Sequence, residues 1–546
     1  MFRFAATSTL ALVIGAAPVM ANVTPAQVWE NLQKTYADYG YEVSGAVEDA
    51  GGTLTVRDAV LSRQNDGGNT AITVPQLTLQ ETGDAKVRVV IDGDVTLNST
   101  FEVAAPAEAA EDAPTDGTAA PTDPALSDPA PADPAPADPT AAPQMVPMSV
   151  TGTLRVPGNE MLVSGTADDM LYEYSYPSVV MDMRMPVGPQ TDATMPVNAA
   201  LTDLTGTQRV VAGDGSDTTF DLRAAEGSIA IDGDVPADPE GTGGGTLNLQ
   251  ARMADLAATG TIDTPSRTFD LNTQMVQALA AGLNIGGSFA FASMEASLDF
   301  TAKGESGEDQ TGTGKATVGA ADMALTMSEQ GMGYTGSTTD IATEMTVSTV
   351  PFPISYAADR TSFDILFPIS RADAAQSFKL AYGVEGLTFA EGIWNLFDPG
   401  SQLPRDPASV TVDLAGDVVM TSDLFDPAMS QPQPGTPPAP PFVPQTLTVN
   451  KVALDAVGAK ADITGELKFG ANPNEPVGTL DGTFEGVNGL LDKLVSLGFL
   501  PQERVMAVRM MLTMFARPAE GNPDQLTSTI EFREGGQIFA NGQQVK

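Results

Sequence analysis

Cysteine and histidine are both absent from the 546 residues. Without cysteine there are no disulfides, no iron–sulfur clusters and no thiol nucleophile; without histidine there is no Ser–His–Asp triad and no imidazole base. Together the two absences remove every His/Cys metal site and the cofactors held by one. Basic residues are scarce as well: 27 Lys+Arg stand against 70 Asp+Glu, a net charge of −43. A surface of that sign repels a phosphate backbone, so nucleic-acid binding would need a local basic patch. The densest basic group is Arg504, Arg509 and Arg517, and it is interleaved with methionines. Past the N-terminus no apolar run reaches the about 18 residues that a helix needs to cross a bilayer. No integral membrane segment is therefore expected after the leader, and a monomer is.

The first residues read as an export signal. Met1-Phe2-Arg3 supplies a short positive start, Leu10–Ile14 the apolar stretch, and Val19-Met20-Ala21 the small-residue pattern of a cleavage site. Cleavage is expected after Ala21. Asn22 follows instead of a cysteine, which excludes lipoprotein anchoring, so the periplasm is the expected compartment.

Period-two alternation dominates the rest. Six stretches carry it with a glycine among the apolar positions: Val87–Leu97, Val150–Val156, Ile229–Val235, Val410–Met420, Ala461–Phe469 and Leu480–Phe484. An inward glycine weakens strand packing, so its recurrence needs a cause: strong coiling of the sheet, or space on the concave face for a helix or an apolar ligand. Five helices interrupt the strands, at residues 24–39 (Thr24 capping, Pro25 first), 273–281, 389–397, 488–497 and 504–515. The last is apolar nearly all round, which predicts burial against the sheet. The predicted fold is mainly β, a β-rich α+β protein: one long, strongly curved antiparallel sheet with a few short helices packed in its concave face. Its parts are a signal peptide (1–21), an N-terminal helix with the first strands (22–103), a Pro/Ala/Asp-rich insertion (104–147), a central sheet (148–425), a Pro-rich loop (426–445) and C-terminal strands with a helix pair and closing hairpin (446–546). The two proline-rich stretches cannot bury a core and are expected to be extended loop expansions within one sheet.

Four segments carry a family resemblance: VWENLQKTYADYGYEVSG near the N-terminus, MLVSGTADDMLYEYS at 161–175, IWNLFDPGSQLPRDPASVTVDLAGD at 393–417 and GQIFANGQQV at 536–545. In these the chain resembles, over its whole mature length, a secreted Gram-negative family catalogued only as domain of unknown function 2125. The resemblance implies a secreted β-rich protein and no particular activity. The glycine-punctuated strands are also similar to those of envelope proteins whose long coiled sheets hold lipid, an analogy of architecture.

Little chemistry remains. Asp398 and Asp406 with Arg405 between them could form the carboxylate pair of a glycan hydrolase; the plainer expectation is that each Asp-Pro step ends or starts an element and Arg405 neutralises one or both acids. The acidic turns Asp92-Gly93-Asp94, Asp214–Asp217 and Asp232-Gly233-Asp234 lack the spacing of a calcium loop, so no metal and no cofactor is expected. Trp394 and the cluster Met506, Met510, Met511 and Met514 are candidates to line an adaptable apolar pocket, or to fill core gaps. The leading expectation is a non-enzymatic structural or interaction module of the cell envelope. The alternative is a carrier or chaperone of lipid or another apolar ligand in the glycine-lined concave face, and a carboxylate-dependent hydrolase comes last. The expected partner is an envelope protein or a lipid.

Overall fold

The computed structural model describes residues 23–38, 40–65, 68–104, 145–188, 193–237, 244–271, 273–304, 307–426 and 440–546. The expected leader, most of both proline-rich stretches and Tyr39 lie outside these residues. The chain opens with helix α1 (Pro25–Asp38). Its first turn is a reciprocal cap: the Gln27 amide donates to Thr24 Oγ1 at 3.3 Å and the Thr24 amide to Gln27 Oε1 at 2.9 Å.

The 26 strands among the described residues then form one antiparallel sheet. The first group is β1 (Glu42–Asp49), β2 (Thr53–Asn65), β3 (Gly68–Glu81), β4 (Val87–Asp92), β5 (Val95–Ala104), β6 (Met145–Arg155), β7 (Glu160–Thr166) and β8 (Asp169–Pro186). The central group comprises β9 (Thr194–Ala212), β10 (Ser216–Val235), β11 (Gly245–Thr264), helix α2 (Met275–Ala280), β12 (Asn284–Phe291), β13 (Ser293–Lys303), β14 (Asp309–Val318), β15 (Ala321–Ser328) and β16 (Gly331–Val347). There follow β17 (Ile354–Phe367), β18 (Gln376–Phe389), helix α3 (Glu391–Phe397), β19 (Ala408–Met420), β20 (Phe442–Ala456), β21 (Ala459–Lys468) and β22 (Val477–Glu485). Helices α4 (Val487–Ser496) and α5 (Gln502–Phe515) precede β23 (Arg517–Ala519), β24 (Asn522–Arg533), β25 (Gln537–Ala540) and β26 (Gln543–Gln544). Five of the six alternating stretches fall on single strands to within a residue, the first, Val87–Leu97, is broken between β4 and β5 at Gly93-Asp94, and each expected helix is present within a few residues of its expected ends.

The order is a meander. From β1 to β22 successive strands pair, counting β4/β5, β6/β7, β12/β13 and β14/β15 as long strands broken in two, and β22 then pairs with β24, which also carries β23 and β25. Ala104 pairs with Met145, and Met420 with Phe442, so the strands that flank each proline-rich stretch are direct neighbours in the sheet.

The breaks fall on one line. Asp58, Asp203, Asp255 and Asp340 hold left-handed backbone, with φ of 49°, 51°, 52° and 52°, in mid-strand. Asp58 stands opposite Pro75, and Asp203 opposite Pro177, each between paired residues on either side. Ala292 divides β12 from β13 beside Asp255, and Gly319-Ala320 divides β14 from β15 beside Asp340. Aspartate tolerates the left-handed region because its short carboxylate can bond locally, and proline supplies no ladder hydrogen. The result is a crease crossing the sheet from β1 to β18, with bulge-like bending at each step. At the crease between β4 and β7, Asn159 replaces the missing ladder. Its side chain accepts from the Ile91 amide at 2.9 Å and donates to the Ile91 carbonyl at 2.8 Å.

The phase of alternation slips by one residue at the crease. In β10 the inward positions are Phe220, Leu222 and Ala224, then Gly227, Ile229, Ile231 and Gly233; their partners in β11 are Gly260, Ala258 and Leu256, then Met253, Ala251, Leu249 and Leu247. The slip keeps apolar side chains on one face of both arms of every long strand.

That face is covered at its ends. Val28 of α1, fully buried, packs on Leu54, Val56, Leu79, Val87, Val89 and Val163, with Trp29 and Leu32 beside it. Tyr172 donates to Asn31 of α1 at 2.7 Å. A second cluster joins Leu279 of α2 to Leu283, Ile369, Met327 and Met332. At the far end α4 packs on β21 and α5 on β24.

A candidate apolar binding face

Between these covers the inward face lies open. Register pairs carry it from Tyr176, Val179, Met181 and Met183 of β8 through Leu204, Leu201, Ala199 and Val197 of β9 to the β10–β11 rows. It continues through Phe289, Leu298, Met323, Tyr334, Ile365 and Leu380 to Leu414, Val452, Ile463 and Leu480. No Asp, Glu, Lys or Arg occupies an inward ladder position from β8 to β22; the acids and bases of these strands stand on the opposite face or at the crease. Many inward side chains remain wet: Met323 is 53% exposed and Tyr382 50%. Apolar surface this continuous and uncovered is unusual for a soluble chain and marks a contact face.

The inward glycines have a specific occupant. Phe220 faces Gly260, Phe300 faces Gly312, Phe363 faces Gly336 and Phe378 faces Gly416 across the ladder. A Cβ on these glycines would meet the phenyl ring at 2.5, 2.2, 2.7 and 2.8 Å. Each ring thus lies down over its glycine, which keeps the floor of the face thin and smooth while its strands stay fully paired.

At the α1 border the face carries tyrosines. Tyr174 and Tyr176 meet edge to face with ring centroids 5.8 Å apart, and Tyr174 donates to Gln208 Oε1 at 2.7 Å. Burial, with Tyr36 nearby, pushes the Tyr176 phenol up to about 12, and burial raises those of Tyr172 and Tyr174 as well.

The residues singled out from sequence are placed differently from one another. Trp394 is buried, wedged against Phe389 and Phe397 with the Arg405 guanidinium 5.3 Å over its ring, so its faces are already taken. Asp398 is 0% exposed, and its carboxylate accepts the Gln402 amide at 2.9 Å and the Leu403 amide at 2.8 Å. It ends α3 and locks the next turn, as an Asp-Pro stop should. Arg405 does not neutralise either neighbouring carboxylate. It pairs with Glu391 and donates to the Asp398 carbonyl at 3.1 Å and Ser401 Oγ at 2.9 Å, while Asp406 is exposed.

The expected burial of α5 is corrected. Only Val505 of that helix is buried, while Met506, Met510, Met511 and Met514 are all more than half exposed, so they neither fill a core nor enclose a pocket. Of the acidic turns considered for calcium, the first has its Asp92 carboxylate accepting from Gln76 at 3.2 Å and Thr78 at 3.3 Å, and among the described residues no three His, Cys, Asp or Glu are placed to hold a metal ion. On the polar face a shallow cavity of 310 Å³ is lined by Ser409, Thr411, Lys451 and Lys460, but each lysine is already paired, with Asp462 at 3.7 Å and Asp455 at 2.8 Å.

The open face itself was only half visible in sequence. The missed signal was the slip: MLYEYSYPSVVMDMRMP alternates cleanly before and after Pro177, on opposite parities. Among the described residues no helix is long and apolar enough to cross a membrane.

Residues 290–540 match the model of the family described as "Uncharacterized protein conserved in bacteria (DUF2125)". The match takes in the segment at 393–417 and the first half of 536–545, but not the two N-terminal ones. It begins inside β12, whose first residues are laddered to β11 by the pairs Ala257↔Ala290 to Asp263↔Asn284, so the sheet continues without a break across the start of the match. No curated protein and no solved structure matches the chain.

Proposed function

We propose that this chain is a non-enzymatic carrier of acyl chains, exported to the periplasm and holding lipid hydrocarbon along the open inward face. One observation carries the reading: the face runs uncharged across consecutive strands, and side chains such as Met323, Tyr382 and Leu380 stay wet on it. Hydrocarbon gains most from such surroundings, because binding there removes apolar area from water on both partners with no ion left unpaired. A head group would stay outside, at the polar edges. The methionines and prone phenyl rings suit a ligand without fixed shape. The uncovered face favours a carrier over a structural module of the envelope, which has no need for open apolar surface.

Protein purified from its native envelope is expected to release acyl chains in stoichiometric amount on solvent extraction, read by mass spectrometry. Met323→Glu with Tyr382→Glu, both on half-exposed side chains, should fold and lose most of that lipid. Lipid-free protein, with a photo-crosslinker at Met323 capturing one soluble protein instead, would replace the carrier with an interaction module.

A further inference from the structure

We infer that the helix pair α4–α5 is a docking surface for an anionic lipid bilayer. The outward side of α5 presents Met506, Met510 and Met514 at four-residue steps with Met511 between, exposed by 64, 68, 53 and 54%. Phe499, at the tip of the turn that joins the two helices, adds a ring that is 52% exposed. The opposite side of α5, at Val505 and the adjoining Ala516, is the side held by the sheet. There the Phe515 carbonyl accepts from Ser528 Oγ at 2.6 Å and Asn541 Nδ2 at 3.0 Å, so the helix is fastened and its methionines are left facing out.

Charge selects the partner. The two helices and their turn, residues 487–515, hold Lys493, Arg504 and Arg509 against Asp492 and Glu503, a net +1 in a chain of net −43. At physiological ionic strength charges act over about 8 Å, so an approaching surface meets the local sign rather than the total. Arg509 is held by Asp492 at 2.7 Å, whereas Arg504 is exposed on the flank of α5 that also carries Met511, seven residues on, and among the described residues takes part in no ion pair within 4.0 Å. Large exposed apolar side chains with an arginine on one flank of a short helix match a membrane interface with anionic head groups: the apolar side enters the acyl boundary and the guanidinium remains with the phosphates.

The surface is independent of whether the sheet carries lipid, and the experiment separates the two. Full-length exported protein, delipidated, is mixed with vesicles of phosphatidylethanolamine containing phosphatidylglycerol, or of phosphatidylcholine alone, and floated on a density gradient. It should rise with the anionic vesicles, less at high salt, and weakly with the neutral ones. Met506→Ser/Met510→Ser/Met514→Ser should reduce flotation ~10-fold or more, and Arg504→Glu should reduce it on anionic vesicles alone, both with unchanged circular dichroism. Met323→Glu should float normally even if it no longer holds lipid. Failure of the unaltered protein to float on either vesicle overturns the inference. So does a concentration-dependent dimer in sedimentation that the methionine variant abolishes, or a soluble protein that alone protects those methionines from oxidation.

Discussion

The glycines that punctuate the inward rows are not equivalent. At Gly312 a new Cβ meets the far end of Phe300, a ring that can swing away; at Gly416 it meets the Thr446 carbonyl oxygen at 2.2 Å, part of a paired strand. Gly416→Ala is expected to cost about 1–3 kcal/mol in urea unfolding, as overpacking against backbone does. Gly312→Ala should be close to neutral, since the lost glycine entropy offsets the ring's displacement. Equal costs would mean that the rings are as fixed as the ladder. The tyrosines at the α1 border make a second prediction at this scale. Their phenols lose protons less readily when folded than at their ordinary value of 10.0, Tyr176 only near 12, so both states are neutral below pH 10 and the unfolded state ionises first above it. The stability they contribute is therefore intact below pH 10 and drains away as pH rises toward 12. Phenolate absorbance should show a class of tyrosines that ionises only as α1 detaches.

Among the elements, α1 has the clearest cause and effect. The sequence TPAQVWENLQ carries its own cap and an apolar stripe, and the structure lays that stripe on β2, β3, β4 and β7 with Val28 wholly buried. Val28→Ala should cost about 2 kcal/mol in thermal or urea unfolding. A change under a few tenths would place α1 outside the cooperative unit. Helix α5 teaches the opposite lesson. Its boundaries were legible, because Pro501 starts it and the apolar run is long enough; its orientation was not. An all-round apolar helix has no marked face, so composition predicts burial when burial depends on whether another element comes to cover it. Likewise Asp398 was readable as a helix stop, but the partner of Arg405 was not, because Glu391 lies 14 residues away and meets it only through the turn that Asp398 locks.

For the molecule as a whole, the meander makes long insertions cheap. Ala104 and Met145 are already neighbours, so the segment between them closes a loop that the ladder does not require. Replacing residues 105–144 with a turn of about four residues should leave strand content unchanged and raise stability by about 2 kcal/mol, from the smaller entropy of closure. Loss of folding would show that the insertion takes part in the sheet. The crease is the other property of the whole. It allows strands of 20 residues, such as β10 and β11, to bend at their middle without surrendering their pairing. The one-residue slip keeps both arms apolar on the same side.

Period-two alternation, turn residues and caps are local properties, and by themselves they determined which segments are strands, where the helices start and stop, and that one side of each strand is greasy. Tertiary structure alone decided that the two halves of each long strand share a face, since the phase changes at Asp58, Pro177, Asp203, Asp255 and Asp340 and only cross-strand register reveals which parity follows. It also decided that the centre of that face stays uncovered and that α5 turns its methionines to solvent. Cover is a relation between distant segments; a side chain's hydrophobicity says that it prefers to be buried, not what will bury it.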